Sequence, residues 1–107
     1  MNNDTTPLGT FEEQVMLAVL RTGDEAYGMN VRRELERVTG RDVAIGAVYA
    51  TLDRLEAKGL VTSSRSGTGA ASRRLFAGTA LGARALTESR TMRERLWEGV
   101  DLRPLLA

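Results

Sequence analysis

Apolar residues recur at helical spacing in four segments of the chain, and a segment with a different pattern separates the third from the fourth. The first, residues 10–22, contains an apolar run at 15–20, so a helix there must be covered on more than one side. The second and third, residues 26–38 and 45–58, each carry one apolar stripe, and residues 80–98 carry the fourth. The pattern predicts four helices.

Residues at the ends of these segments support the same helix boundaries. Thr10 and Glu13 have the spacing of a capping box at the start of the first helix. Gly59 follows the third helix, where a left-handed C-terminal cap belongs, and Thr79 precedes the fourth as its N-cap.

Two short extended segments, residues 60–65 and 71–76, surround a turn rich in Gly and Ser and predict a hairpin. Three helices, a hairpin and a helix make a mainly α (α+β) fold, in the order of a winged helix-turn-helix with a two-stranded wing. We expect a DNA-binding domain at 8–78 and a C-terminal dimerisation helix with its tail at 79–107.

Composition argues against an enzyme. The 107 residues include no His and no Cys, and Lys58 is the sole lysine, so neither a nucleophile–base pair nor a metal-binding cluster is visible. We expect no cofactor and no metal. The N-terminus has no targeting pattern, and no apolar run approaches the roughly 20 residues that span a bilayer. We therefore expect a cytoplasmic protein without a membrane partner.

Charge is distributed unevenly. The net charge is +1, but residues 1–60 carry −3 and residues 61–107 carry +4. Such asymmetry can place a basic face against nucleic acid, although it is only a hint by itself.

Five short motifs in this order resemble the PadR family of transcriptional regulators over roughly residues 8–90. They are LGT at 8–10, AYG at 26–28, GAVYATLDRLEAKGLV at 46–61, RRLF at 73–76 and TALG at 79–82. The longest of them is the most specific. One departure is Leu75-Phe76, which replaces the paired aromatic residues expected at the end of the wing.

The resemblance implies a homodimeric regulator, usually a repressor, that binds double-stranded operator DNA. It implies that the third helix enters the major groove, that the wing touches the minor groove, and that a small-molecule effector modulates binding in many members. The short C-terminal region is similar to that of the smaller subgroup, which has a single C-terminal dimerisation helix.

The predicted DNA contacts lie at the start of the second helix, on the exposed face of the third helix and in the wing. They are Tyr27, Gly28, Gly46, Ala47, Tyr49, Ala50, Thr51, Arg54, Arg65, Thr68, Arg73 and Arg74. An alternative for Arg54 is an ion pair with an acid such as Glu25 or Glu56. An alternative for the wing is a solvated hairpin whose arginines cover apolar surface.

The predicted dimer interface combines the fourth helix with the first, because the three-helix core cannot also cover the apolar side chains of the fourth. Its residues are Phe11, Val15, Leu81, Leu86, Met92, Leu96, Trp97 and Val100. The alternative is a fourth helix that folds back on its own domain. Met92 and Trp97 are also candidates for effector binding, as the resemblance implies for a tryptophan of the last helix.

A second class of function is a winged helix that binds another protein without DNA specificity, which the near-neutral charge favours. DNA affinity that falls steeply with salt would distinguish the first function from the second.

Overall fold

The computed structural model describes residues 8–107, apart from the side chain of Ala71. The elements are α1 (Thr10–Thr22), α2 (Gly28–Thr39), α3 (Ile45–Ala57), β1 (Val61–Ser66), β2 (Arg73–Gly78), α4 (Ala80–Trp97) and α5 (Arg103–Leu106). Short 3-10 turns lie at Gly23–Glu25 and Gly69–Ala71. The predicted fold class, mainly helical with one two-stranded hairpin before a C-terminal helix, is confirmed.

The core lies between α1, α2 and α3 and is closed by the hairpin. From α3, Val48, Leu52 and Leu55 are fully buried, which is the stripe that the spacing predicts. Each such side chain contributes about 1.5–3 kcal/mol to folding through burial. The other buried apolar residues are Val15, Met16, Ala18, Val19, Ala26, Val31, Leu35, Leu60, Val61 and Phe76.

The hairpin gains a third, one-rung strand that the sequence pattern did not reveal. β1 and β2 pair antiparallel from Val61 opposite Gly78 to Ser66 opposite Arg73. On the other edge of β2, the Phe76 amide donates to the Ala26 carbonyl at 2.9 Å, and Tyr27 bridges Leu75. Because residues 26 and 27 pair with β2, α2 begins two residues later than predicted.

The helix ends match the sequence signals except at α1. Thr79 accepts a hydrogen bond from the Gly82 amide at 3.0 Å, and Gly59 has φ +77°, so both predicted caps are confirmed. The predicted capping box at Thr10 is wrong by one residue. Gly9 is the N-cap, and its amide donates to the Glu12 carboxylate at 2.9 Å.

α4 packs on its own domain along one side only. Gly82 is buried against the Leu60 carbonyl, and farther along Arg93 donates to Glu13 of α1 at 2.6 Å. Leu86 is partly buried against the core. Beyond this contact large apolar side chains remain exposed; they are Leu81, Met92, Leu96, Trp97, Val100, Leu102, Leu105 and Leu106.

Among residues 8–107, no helix combines the length and apolar character needed to cross a membrane.

Candidate nucleic-acid interface

The first turn of α3 presents small residues to solvent. Ala44 precedes the helix, and within the described residues no side chain caps its free amides. Gly46, Ala47 and Ala50 are exposed, so this end can approach another surface closely. A helix N-terminus also carries a partial positive charge and unpaired N–H groups, which suit a phosphate.

Tyr49 connects α3 to the start of α2. Its ring lies against Gly28, where an added Cβ would overlap the phenol. Gly28 is buried, whereas Tyr49 remains 38% exposed, so part of the tyrosine side chain lies at the surface between the two helices. The close approach of this ring explains why position 28 has no side chain.

Arg73 extends the same surface toward the wing. Its guanidinium lies 4.3 Å from the centre of the Tyr27 ring, a cation–π contact that leaves Arg73 exposed. Tyr27 itself is partly buried. The predicted contacts at Tyr27, Tyr49 and Arg73 are therefore neighbours in space through α2, α3 and β2.

The wing tip carries two more predicted contacts on exposed positions. Arg65 donates to the Ser72 hydroxyl at 3.3 Å, across the base of the turn. Thr68 is exposed at the tip, between Gly67 and Gly69. The Arg65 guanidinium has five N–H donors, and the contact with Ser72 uses one nitrogen, so other N–H groups remain able to bind a phosphate.

Thr51 and Arg74 differ from prediction. Thr51 is 2% exposed, and its hydroxyl accepts from Arg54 at 3.1 Å, so the expectation that Thr51 faces DNA is wrong. Arg74 is partly exposed, but its guanidinium is held on α3 by Asp53 at 2.9 Å and Glu56 at 2.5 Å, so the expectation that it is free for a phosphate is wrong. The alternative reading, an arginine covering apolar surface, fits its position 4.8 Å from the Phe76 ring.

The contacts between Arg74 and the acids of α3 shift the pKa values of Arg74 and Glu56. The hydrogen bond to Glu56 is the main cause that raises the pKa of Arg74, and Asp53 adds to it. Hydrogen bonds from Ser63 and then from Arg74 hold the pKa of Glu56 below its usual value. Sequence reasoning missed this cluster. The sequence did contain a sign of this cluster. Arg74 and Phe76 share one face of a strand, and Asp53 and Glu56 lie three residues apart on α3.

Arg54 keeps a partly exposed side chain near an acid that the sequence did not suggest. The partner is Glu12 of α1, at 3.8 Å from Nε, rather than Glu25 or Glu56. Lys58 approaches the same carboxylate at 2.9 Å. Burial tends to raise the pKa of Glu12, but hydrogen bonds from the Gly9 amide and Lys58 outweigh it and lower the pKa.

The predicted dimer residues fall into two groups. Val15 is fully buried in the chain's own core, so its inclusion in an interface is wrong, and Phe11 and Leu86 pack partly against that core. Five are exposed by 45–72%; they are Leu81, Met92, Leu96, Trp97 and Val100. Folding back on its own domain therefore covers only part of α4.

Two grooves occur near α1 and α2. One of about 410 Å³ lies between the start of α1 and the start of α3, and its lining includes Phe11 and Ala47. The other, about 240 Å³, lies between α1 and α2 and includes Leu17 and Val38. Neither lining includes Met92 or Trp97. Over residues 8–107, no cluster of His, Cys, Asp or Glu has the makings of a metal site.

A helix pair in contact through Tyr49 and Gly28, followed by a hairpin with exposed arginines, defines a winged helix-turn-helix DNA-binding protein. Residues 16–88 match the family described as the transcriptional regulator PadR-like family. The chain belongs to that family, and its function is transcriptional regulation.

Individual relatives agree with the family assignment. Transcriptional regulator Rv3488 of Mycobacterium tuberculosis is 40% identical over 73 residues, which are 68% of this chain and 67% of that protein. A PadR family transcriptional regulator from Eggerthella lenta has a similar structure, with a TM-score of 0.68 and 28% identity over 86% of this chain and 80% of its own. RosR of H. salinarum has a TM-score of 0.66 and 27% identity over 94% and 87%.

Proposed function

We propose that this protein is a homodimeric repressor that binds a palindromic operator and is released by a small ligand. Residues 8–78 form the DNA-binding unit, and residues 79–107 form the dimerisation helix and its tail. The observation that carries the proposal is that α4 leaves large apolar side chains exposed on the same chain that presents an open helix start and arginines to solvent.

Pairing through α4 follows from the cost of leaving these side chains in water. Leu96 and Trp97 are 72% and 59% exposed, and each such side chain gains about 1.5–3 kcal/mol when fully buried. Five of them, if fully buried, would gain about 8–15 kcal/mol, which is similar to the range of about 4–15 kcal/mol that association costs. Additional surface from α1, where Leu17 and Leu20 are also exposed, would therefore strengthen the dimer.

DNA contact in this proposal uses two kinds of group. The amides at the start of α3, with Gly46, Ala47 and Ala50, enter the major groove. Arg65, Arg73 and Thr68 of the wing contact phosphates or the minor groove, and Tyr27, Tyr49 and Arg54 contact the backbone beside them. Gly28, which was also predicted as a contact, is buried and supports the Tyr49 ring instead. Two copies related by a twofold axis then read two half-sites.

DNA binding is tested by titrating a labelled fragment from the promoter of the protein's own gene at several salt concentrations. We expect log K to fall linearly with log salt, with about 0.9 of slope for each neutralised phosphate. Binding that is absent at low salt would overturn the DNA proposal and favour the protein-binding module.

Dimerisation is tested with a matched pair of glutamate substitutions on α4. Leu96→Glu should give a monomer by light scattering and weaken binding to the full palindrome far more than binding to a half-site. The control is Thr87→Glu. Thr87 is exposed, and because it lies nine residues before Leu96 it is on the opposite side of the helix. A dimer that survives Leu96→Glu would exclude α4 as the interface.

Ligand release is tested through Trp97, the one tryptophan of the chain. Planar aromatic compounds that bind between paired helices near Met92 and Trp97 should quench its fluorescence and lower operator affinity in the same concentration range. Quenching without any change in operator affinity would show that such a site does not control DNA binding.

A further inference from the structure

Arg74 is the wing arginine that binds acidic side chains of α3. Its guanidinium donates from Nη1 to Asp53 at 2.9 Å, from Nη2 to Glu56 at 2.5 Å and from Nε to the Ser63 hydroxyl at 3.3 Å. Ser63 in turn donates to Glu56 at 2.7 Å. The cluster joins α3, which carries both acids, to β1 and β2 of the wing.

The charge of this cluster is unfavourable for DNA binding if it acts by electrostatics alone. Arg74, Asp53 and Glu56 carry one positive and two negative charges, so the group is net negative beside the surface proposed to face phosphates. Arg65 lies directly opposite Arg74 in the hairpin register, and like charges in that position repel each other. The two acids pair with Arg74 and offset that repulsion, whereas Arg65 shares the same face of the hairpin and remains exposed.

We propose that Arg74 is a positioning residue that fixes the wing relative to α3, so that the helix and the wing reach the same DNA duplex together. This inference rests on the proposed DNA-binding function. A planar guanidinium suits the role because its fork holds several acceptors in one fixed geometry, which an ammonium does not do. Without the cluster, ordering the wing would be an added cost at the moment of binding.

Removing an acid from the cluster gives opposite predictions for the two possible roles. Glu56→Gln deletes a negative charge near the DNA, which by long-range electrostatics alone would tighten binding. If Arg74 positions the wing, the same substitution weakens binding, by about fivefold. Unchanged or tighter binding would overturn the positioning role.

Arg65 and Arg74 provide a matched comparison because they occupy the same rung of the hairpin. Arg65→Ala should reduce the salt slope by about 0.9, as expected for one lost phosphate contact. Arg74→Ala should lower affinity while leaving the slope unchanged. Arg74→Lys should behave like Arg74→Ala, since lysine keeps the charge without the fork. A reduced slope for Arg74→Ala, or full affinity for Arg74→Lys, would instead assign Arg74 to a phosphate.

Hydrogen exchange of the free protein separates a failure of this inference from a failure of the proposed function. Amides of β1 and β2 should exchange faster in Glu56→Gln and Arg74→Lys than in wild type, with no DNA present. Exchange that does not change would overturn the positioning role, whatever the DNA result. Wild-type protein that binds no DNA at low salt would overturn the proposed function, and with it a role for Arg74 in DNA binding, even if exchange becomes faster.

Discussion

Gly82 provides a direct test of how α4 is seated on the rest of the chain. An alanine Cβ at this position would overlap the Leu60 carbonyl oxygen and would lie 2.8 Å from the terminal methyl of Met16. The methionine side chain can rotate away. The carbonyl cannot, because it belongs to the backbone that connects α3 to β1 and also accepts from the Thr79 amide at 3.3 Å. Gly82→Ala must therefore displace α4.

The size of the effect follows from two opposing contributions. Overpacking of a buried site costs about 1–3 kcal/mol, and a clash with backbone belongs to the upper part of that range. Alanine inside a helix regains about 0.5–1 kcal/mol relative to glycine. We therefore expect Gly82→Ala to lower the free energy of unfolding by about 1–2 kcal/mol, which for a domain of this size lowers Tm by about 4–8 °C per kcal/mol.

The measurement is urea unfolding followed by circular dichroism at one fixed protomer concentration, because the proposed dimerisation would make stability depend on concentration. Gly46→Ala is the control. Gly46 also lies in the first turn of a helix, but an added Cβ there meets nothing within 4 Å, so that substitution should stabilise the protein by about 0.5–1 kcal/mol. If Gly82→Ala proved as stable as Gly46→Ala, the close contact between α4 and Leu60 would be refuted.

Two further predictions concern α2. Hydrogen bonds from Arg37 and then Arg21 lower the pKa of Glu34 to about 2, so its contribution to stability is present above its ordinary pKa of 4.5 and is lost as the pH falls toward 2. Glu34→Gln should therefore be less stable than wild type at pH 7 in urea unfolding, and the difference should close near pH 2; a constant difference would contradict the ion-pair assignment. Gly28→Ala should displace the Tyr49 ring and weaken operator binding while the circular dichroism spectrum stays unchanged, and wild-type affinity would show that the ring position is not needed.

The helices could be predicted because each depends on a local repeat that burial then selects. The stripe of α3 at Val48, Leu52 and Leu55 is the clearest case, and its predicted limits differ from the observed helix by one residue. The start of α2 could not be placed, because Ala26 and Tyr27 pair with β2, which is far away in sequence. Ala26 and Tyr27 lie outside α2 because they pair with β2, not because their own sequence pattern favours a strand.

The site was predicted well at the start of α3 and at most wing positions, and poorly at Thr51, which is buried, and at Arg74. Gly46, Ala47 and Ala50 are exposed as expected. Arg74 was assigned to the wrong environment because the acids that bind it lie on another element, and only the hairpin register shows which face of β2 it shares. Val15 lies in a helix that is apolar all round, where sequence alone does not show which side the core covers.

The junction at Gly82 has a mechanical consequence for the proposed dimer. α4 begins directly after β2, and its first turn is held at Gly59 and Leu60, where α3 leads into β1. Trp97 lies about 22 Å farther along the helix, at 1.5 Å per residue. If the contact between Arg93 and Glu13 opened, a rotation of about 10° about Gly82 would move Trp97 by roughly 4 Å. In the proposed dimer, a compound that moved the far ends of the two α4 helices would change the distance between the two DNA-binding units without contacting either one.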